Sequence, residues 1–130
     1  MAETVLIAED NALNRRLFVD VLTDLGYRVE TAADGLAALE RARDCDPALI
    51  LLDLELPRLP GLEVARRLRA EPKFSATPII AVSAFVSGRE KLRAQRCGCT
   101  DYLPKPLRLE TLISTVRGCL GNREEAVDRV

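Results

Sequence analysis

Ala48-Leu49-Ile50-Leu51-Leu52-Asp53-Leu54-Glu55-Leu56-Pro57 is the stretch on which the fold turns. Five apolar residues in a row, with no alternation, describe a strand covered on both faces, as central strands of parallel sheets are. Asp53 follows the run at the carboxyl end of the strand, where it is expected to be the first residue within reach of solvent. In open α/β sheets that edge is where ligands bind. A carboxylate there is poorly explained as packing.

The same alternation of elements repeats on either side of this run. Val5-Leu6-Ile7-Ala8 is a short apolar strand that runs into Glu9-Asp10, and Asn11 is placed to cap a helix. Leu17, Phe18, Val21, Leu22 and Leu25 share one face of that helix, and Gly26 stops it. Arg28 to Thr31 alternates as a strand, and Leu36 to Arg43 is a second helix, broken by Cys45-Asp46-Pro47. After Asp53, Pro57 to Gly61 is a loop and Leu62 to Ala70 a third helix. Ile79-Ile80-Ala81-Val82 is another buried strand, ending at Ser83, and Glu90 to Arg96 is a polar helix stopped by Gly98. Thr100 to Leu103 is a fifth strand, Pro104-Lys105-Pro106 a turn and Glu110 to Leu120 a last helix. Five βα units with short links predict an α/β fold: a doubly wound, five-stranded parallel sheet of flavodoxin-like order 2-1-3-4-5 with right-handed crossovers. One domain is expected over residues 1–121, with a polar tail over 122–130 that frays.

Composition narrows the functions available. The chain has 130 residues, 48% of them hydrophobic, enough for one real core. Nineteen Lys and Arg against 20 Asp and Glu leave a net charge of −1, no general attraction for nucleic acid or membrane. The apolar runs are too short to span a bilayer, and Met1-Ala2-Glu3-Thr4 does not open a signal peptide, so the cytosol is expected. Cys45, Cys97, Cys99 and Cys119 read as reduced thiols; Cys97-Gly98-Cys99 lacks the usual two-residue spacing and has no His to complete a metal site. With no His anywhere, acid-base or metal chemistry must rest on carboxylates, Lys and hydroxyls.

Those groups gather at one edge. Strands one, three, four and five end in Glu9-Asp10, Asp53, Ser83 and, just beyond, Lys105. Taken singly, Glu9-Asp10 reads equally well as a helix cap, Ser83 as a structural hydroxyl and Lys105 as a surface lysine. Together they bring three carboxylates to the crevice between strands one and three. Crowded carboxylates repel, and a hard divalent cation such as Mg²⁺ relieves this. An Asp beside Mg²⁺ and Lys is equipped to form an aspartyl phosphate, with Ser83 able to donate to a phosphoryl oxygen.

Four segments carry a resemblance: Val5 to Asn11; Leu51 to Pro57 with Gly61 following; Ser83-Ala84; and Asp101-Tyr102-Leu103-Pro104-Lys105-Pro106. In order and spacing they resemble the receiver domain of bacterial response regulators, over about residues 4 to 120. The opening Glu9-Asp10-Asn11-x-x-Asn14 and the Ser83-Ala84-Phe85 segment resemble stand-alone receivers of the DivK cell-cycle type, although the same opening occurs in receivers attached to hybrid kinases. The resemblance implies that Asp53 accepts phosphate from a histidine kinase or phosphotransfer protein. It further implies that Asp10, Asp53 and the backbone carbonyl of Glu55 hold Mg²⁺, with Glu9 acting through a water. Lys105 would pair with the phosphoryl group, Lys105-Pro106 would be cis, and Ser83 and Tyr102 would be the switch positions. Tyr102 also reads as an edge-strand aromatic packed on the last helix.

The implied output is a protein-protein contact through the fourth helix, fifth strand and fifth helix, about residues 87 to 120, with Arg89, Lys91, Arg93 and Arg96 mostly a solvated face. The chain ends too soon for a DNA-binding or catalytic output domain, so a downstream protein is the expected target, without nucleic acid or membrane insertion. Leu13, off the main apolar arc, is a partly exposed residue or a kinase-docking contact. Glu55 is expected to change the lifetime of the phosphorylated state. Phe85 either slows attack by water or lines a docking surface. A receiver fragment of a hybrid kinase and an unphosphorylated scaffold are the nearer alternatives. An aspartyl-phosphate phosphatase is remote, since its second Asp is replaced by Glu55, and a nucleotide or flavin module lacks any glycine-rich phosphate motif. The chain is therefore not expected to be an enzyme beyond phosphorylating and dephosphorylating itself.

Overall fold

The computed structural model describes residues 2–85 and 87–121; the expected tail over 122–130 lies outside them. In chain order the elements are β1 (Thr4–Ala8), α1 (Ala12–Asp24), β2 (Arg28–Ala32), α2 (Gly35–Cys45), β3 (Leu49–Asp53), α3 (Gly61–Arg69), a short 3₁₀ turn (Pro72–Phe74), β4 (Ile79–Ser83), α4 (Gly88–Arg96), β5 (Asp101–Pro104) and α5 (Leu109–Leu120). All strand pairings are parallel, and the sheet order is β2-β1-β3-β4-β5. This is the doubly wound order expected from the repeating units, with its switch point between β1 and β3.

The continuous apolar run of β3 follows from this sandwich. Successive side chains of a strand face opposite sides. Ile50 and Leu52 join the layer holding Ala38, Leu39, Val64 and Leu68 of α2 and α3. Leu49 and Leu51 join the layer holding Phe18 and Leu22 of α1 and Leu112 and Val116 of α5. Every residue of β3 and β4 is buried. The register sets Leu52 beside Ala8, Asp53 beside Val82 and Ser83 beside Pro104, so the strand ends form one line.

The helix starts carry their own signals. Asn11 Oδ1 accepts from the Asn14 N–H (2.9 Å), Asp34 Oδ1 from the Ala37 N–H (2.8 Å) and Ser87 Oγ from the Glu90 N–H (3.2 Å). Helix α2 begins earlier than its apolar pattern suggests, at Gly35. A Cβ there would lie 2.0 Å from the Leu59 carbonyl oxygen, so only glycine lets α2 close on the loop after β3.

Two expectations need correction. Leu17, expected on the buried arc of α1, is 45% exposed. It lies over the groove formed with Phe18, Lys105 and Pro106 rather than over the strands. Tyr102 does not pack on the last helix. It lies in the opposite layer with Ala94 and Cys99, while its neighbour Leu103 takes the place against Leu112 and Val116. Strand alternation, invisible in a four-residue element read alone, decides between the two faces. The 3₁₀ turn, whose Phe74 fills the core, had no periodic signal. The four cysteines are free thiols, and no helix among the described residues is long and apolar enough to cross a membrane.

Candidate functional site

Asp53 closes β3 with only 3% of its surface exposed. Its Oδ1 accepts from the Glu55 backbone N–H (2.8 Å) and pairs with the Lys105 ammonium at 2.8 Å. Oδ2 is buried and has no hydrogen-bond partner among the described residues. A buried carboxylate oxygen without a partner is uncommon and costly.

Next to Asp53 stand Glu9 and Asp10. Asn11 supplies the side-chain cap of α1, on the Asn14 N–H, so that role falls to neither Glu9 nor Asp10. Glu9 is buried; its Oε2 accepts from the Asn11 N–H (3.0 Å), and Arg15 donates to the Glu9 carbonyl oxygen (2.9 Å), fixing the turn. Asp10 is exposed. One carboxylate oxygen from each of Glu9, Asp10 and Asp53 lies within 4.8 Å of the other two. Burial, then the neighbouring Asp53 charge, push the Glu9 carboxyl up to about 7, against the Asn11 hydrogen bond that lowers it. The site is thus short of positive charge on this side. An all-oxygen donor set with one orphaned buried oxygen fits a hard divalent cation, and Mg²⁺ in particular accepts few protein ligands and keeps waters.

Opposite this cluster, three donors converge on the Glu55 side chain. The Ser83 hydroxyl donates to Oε2 (2.7 Å), the Ala84 N–H donates to Oε1 (3.0 Å), and Lys105 Nζ lies 3.2 Å from Oε1. Burial raises the Glu55 carboxyl, but these hydrogen bonds and the lysine outweigh it and hold it below its ordinary value. Lys105 moves the other way: burial lowers it, while Asp53 and Glu55 together raise it. Its bond to Pro106 is cis. Ser83 in turn accepts from the Phe85 N–H (3.0 Å), and the Tyr102 hydroxyl donates to the Phe85 carbonyl oxygen. A chain of contacts therefore runs from Glu55 through Ser83 and Phe85 to the buried Tyr102. The Phe85 ring itself is 62% exposed.

The segment bearing Asp53 and Glu55 is pinned from behind by Gly61. Its N–H donates to the Leu54 carbonyl oxygen (3.1 Å), and a Cβ on it would meet the Asp53 carbonyl oxygen at 2.5 Å. Glu9, Asp10, Asp53, Glu55, Ser83 and Lys105 thus lie around one crevice, with Phe85 and Tyr102 on the contact chain leading from it; Arg89, Lys91, Arg93 and Arg96 lie apart on α4. The Ala84 N–H and the bridging role of the Glu55 carboxylate were not foreseen. A backbone donor leaves no trace in residue identity, and the direction of Glu55 depends on β4 lying beside β3.

A family model described as the response regulator receiver domain matches residues 5–117. The chain is 38% identical over 122 residues to the polar-differentiation response regulator DivK of Brucella ovis, covering 94% of this chain and 99% of that protein. In structure it resembles the chemotaxis protein CheY4 of Vibrio cholerae, with a TM-score of 0.87 and 32% identity over 92% of this chain and 100% of that one. It also resembles the receiver domain of the sensor histidine kinase PA1611 from Pseudomonas aeruginosa, solved with a magnesium ion coordinated in its active site cleft. There the TM-score is 0.84, with 32% identity over 93% of this chain and 99% of that one.

Proposed function

This chain belongs to the family of response regulator receiver domains, and from that premise we propose that Asp53 is its phosphoacceptor in two-component signalling. The donor is a phosphohistidine on a histidine kinase or phosphotransfer protein. A carboxylate oxygen of Asp53 attacks phosphorus, the phosphorus–nitrogen bond breaks with its electron pair left on the imidazole, and an acyl phosphate forms. Lys105 meets the charge of the transferring group, and the Ser83 hydroxyl and Ala84 N–H donate to its oxygens. Asp10, Asp53 and the Glu55 backbone carbonyl would hold Mg²⁺, with Glu9 acting through a bound water; when bound, the ion offsets the charge of the carboxylates and of the phosphoryl group. Turnover is limited to the protein's own phosphoryl group, so it is a signalling protein rather than an enzyme acting on external substrates.

The receiver unit is assigned to residues 1–121, acting in the cytosol where such donors reside. Leu13, 79% exposed, and Leu17 lie on the α1 side of the crevice and suit contact with the donor protein. The output surface is α4, β5 and α5, reached from Ser83 through Phe85 and Tyr102. The outward Phe85 ring and Leu92, 45% exposed, favour docking over shielding of the acyl phosphate.

The observation that carries this reading is the Asp53 carboxylate: buried, with Oδ1 held by Lys105, Oδ2 without a hydrogen-bond partner among the described residues, and one oxygen within 4.8 Å of carboxylate oxygens of Glu9 and Asp10. Incubation with acetyl phosphate, followed by intact-mass measurement, tests it. A phosphate-sized gain that needs Mg²⁺ and is lost in Asp53→Asn is expected. No gain with acetyl phosphate or with kinases would leave the scaffold reading.

A further inference from the structure

We infer that Glu55 is a built-in competitor for the phosphoryl seat, its carboxylate holding the donors that a phosphoryl group on Asp53 would need. This rests on the reading of Asp53 as phosphoacceptor.

The distances define one seat. Lys105 Nζ is 2.8 Å from Asp53 Oδ1 and 3.2 Å from Glu55 Oε1, so a single ammonium bridges the two carboxylates. A phosphoryl group attached to Asp53 would extend into the reach of the same ammonium. The Ser83 hydroxyl and the Ala84 N–H already converge on the Glu55 oxygens. Ser83 is only 2% exposed and cannot turn its hydroxyl to water. In the unmodified chain the carboxylate thus satisfies donors that would otherwise wait for phosphate.

The two occupants exclude each other. A phosphoryl group carries about −1.5 to −2 charge, and a carboxylate sharing its donors would repel it. Glu55 can leave, because its side chain is 31% exposed while its backbone N–H stays bonded to Asp53 Oδ1. Phosphorylation then exchanges one anion for another at Ser83, Ala84 and Lys105. Since Ser83 is already linked through Phe85 to Tyr102, the unmodified chain has those contacts preformed. Part of the interaction free energy of the phosphoryl group is spent on displacing Glu55.

Beryllofluoride with Mg²⁺ is the probe, since it binds without a chemical step. Its affinity would be measured by amide NMR titration of the native chain, Glu55→Gln and Glu55→Ala. Glu55→Gln keeps the shape and guards against misfolding of the alanine variant. Both variants should bind at least three-fold more tightly, and the Ala84 amide resonance should move upfield in ligand-free Glu55→Ala. Native binding with equal or weaker binding by both variants would overturn the competition while leaving Asp53 as acceptor. No Mg²⁺-dependent binding by the native chain or either variant would overturn both readings.

Discussion

The Lys105 ammonium sits 2.8 Å from Oδ1 of Asp53, a carboxylate that is almost wholly buried. This pair joins the end of β3 to the turn after β5, residues far apart in the chain. It sets an ammonium directly against the buried carboxylate.

Replacing Lys105 should therefore weaken the fold as well as the chemistry. Lys105→Met leaves a buried carboxylate without its cation, at a cost of about 2–3 kcal/mol, below the usual range for fully buried pairs because the lysine is partly exposed. Lys105 is raised above its ordinary value in the folded state. Its contribution is thus complete below the unfolded lysine pKa and lost only as pH rises through the higher folded one. Urea unfolding should show a native-to-variant gap that is flat from about pH 6 to 9 and closes at more alkaline pH. Equal stability of the two at neutral pH would contradict it.

Glu9 predicts a loss of stability in the same direction, as pH rises, but in a lower pH window. Its folded carboxyl titrates near 7, against an ordinary value of 4.5, because it is buried beside Asp53. Below 4.5 both states are protonated and nothing is lost. Between 4.5 and 7 unfolding releases the proton, so stability falls as pH rises; above 7 the loss is complete. Metal-free Glu9→Gln should match the native chain near pH 4.5 and exceed it by about 2–3 kcal/mol at pH 8. A gap that does not grow with pH would refute the assignment.

Magnesium should act on the same imbalance. If Glu9, Asp10 and Asp53 receive the ion, Mg²⁺ raises the melting temperature of the native chain, by an amount equivalent to about 2.7 kcal/mol at one hundred times its dissociation constant. The increment should shrink strongly in Asp10→Asn, whose exposed side chain leaves the apo fold intact. Equal increments in both proteins would place the ion elsewhere.

The glycines offer a packing test. Gly61→Ala would drive a methyl group to 2.5 Å from the Asp53 carbonyl oxygen and 2.7 Å from Leu54 Cα. About 1–3 kcal/mol should be lost, as in other overpacked sites, together with slower labelling by acetyl phosphate. Gly118→Ala, with nothing within 4 Å of its Cβ, should be neutral or stabilise α5 by up to about 1 kcal/mol. Comparable behaviour of the two variants in thermal unfolding would argue against the close approach.

Much of this was legible in residue order, for a local reason. Periodicity and strand-end chemistry are properties of neighbours in sequence. The run Leu49 to Leu52 announced a strand buried on both faces. Glu9-Asp10, Asp53, Ser83 and Lys105 could be aligned at one edge because a parallel sheet puts all strand ends there. Asn11 could be read as a cap, and the structure places its side chain on the Asn14 N–H.

Other features depended on partners distant in the chain. Tyr102 took the layer of Ala94 rather than that of α5 because the register of β4 with β5 sets which face it meets. Leu17 stayed exposed because the groove beside Lys105 and Pro106, not the sheet, lies beneath it. Glu55 could be recognised as a carboxyl two residues after Asp53. Only the packing of β3 against β4 turned it onto Ser83, Ala84 and Lys105. Residue order alone specified the sheet, its order and the groups at its edge, because hydrophobic burial follows local pattern. The tertiary structure decided which donor each carboxylate holds, because hydrogen bonds and charge pairs depend on distances between strands that no spacing along the chain encodes.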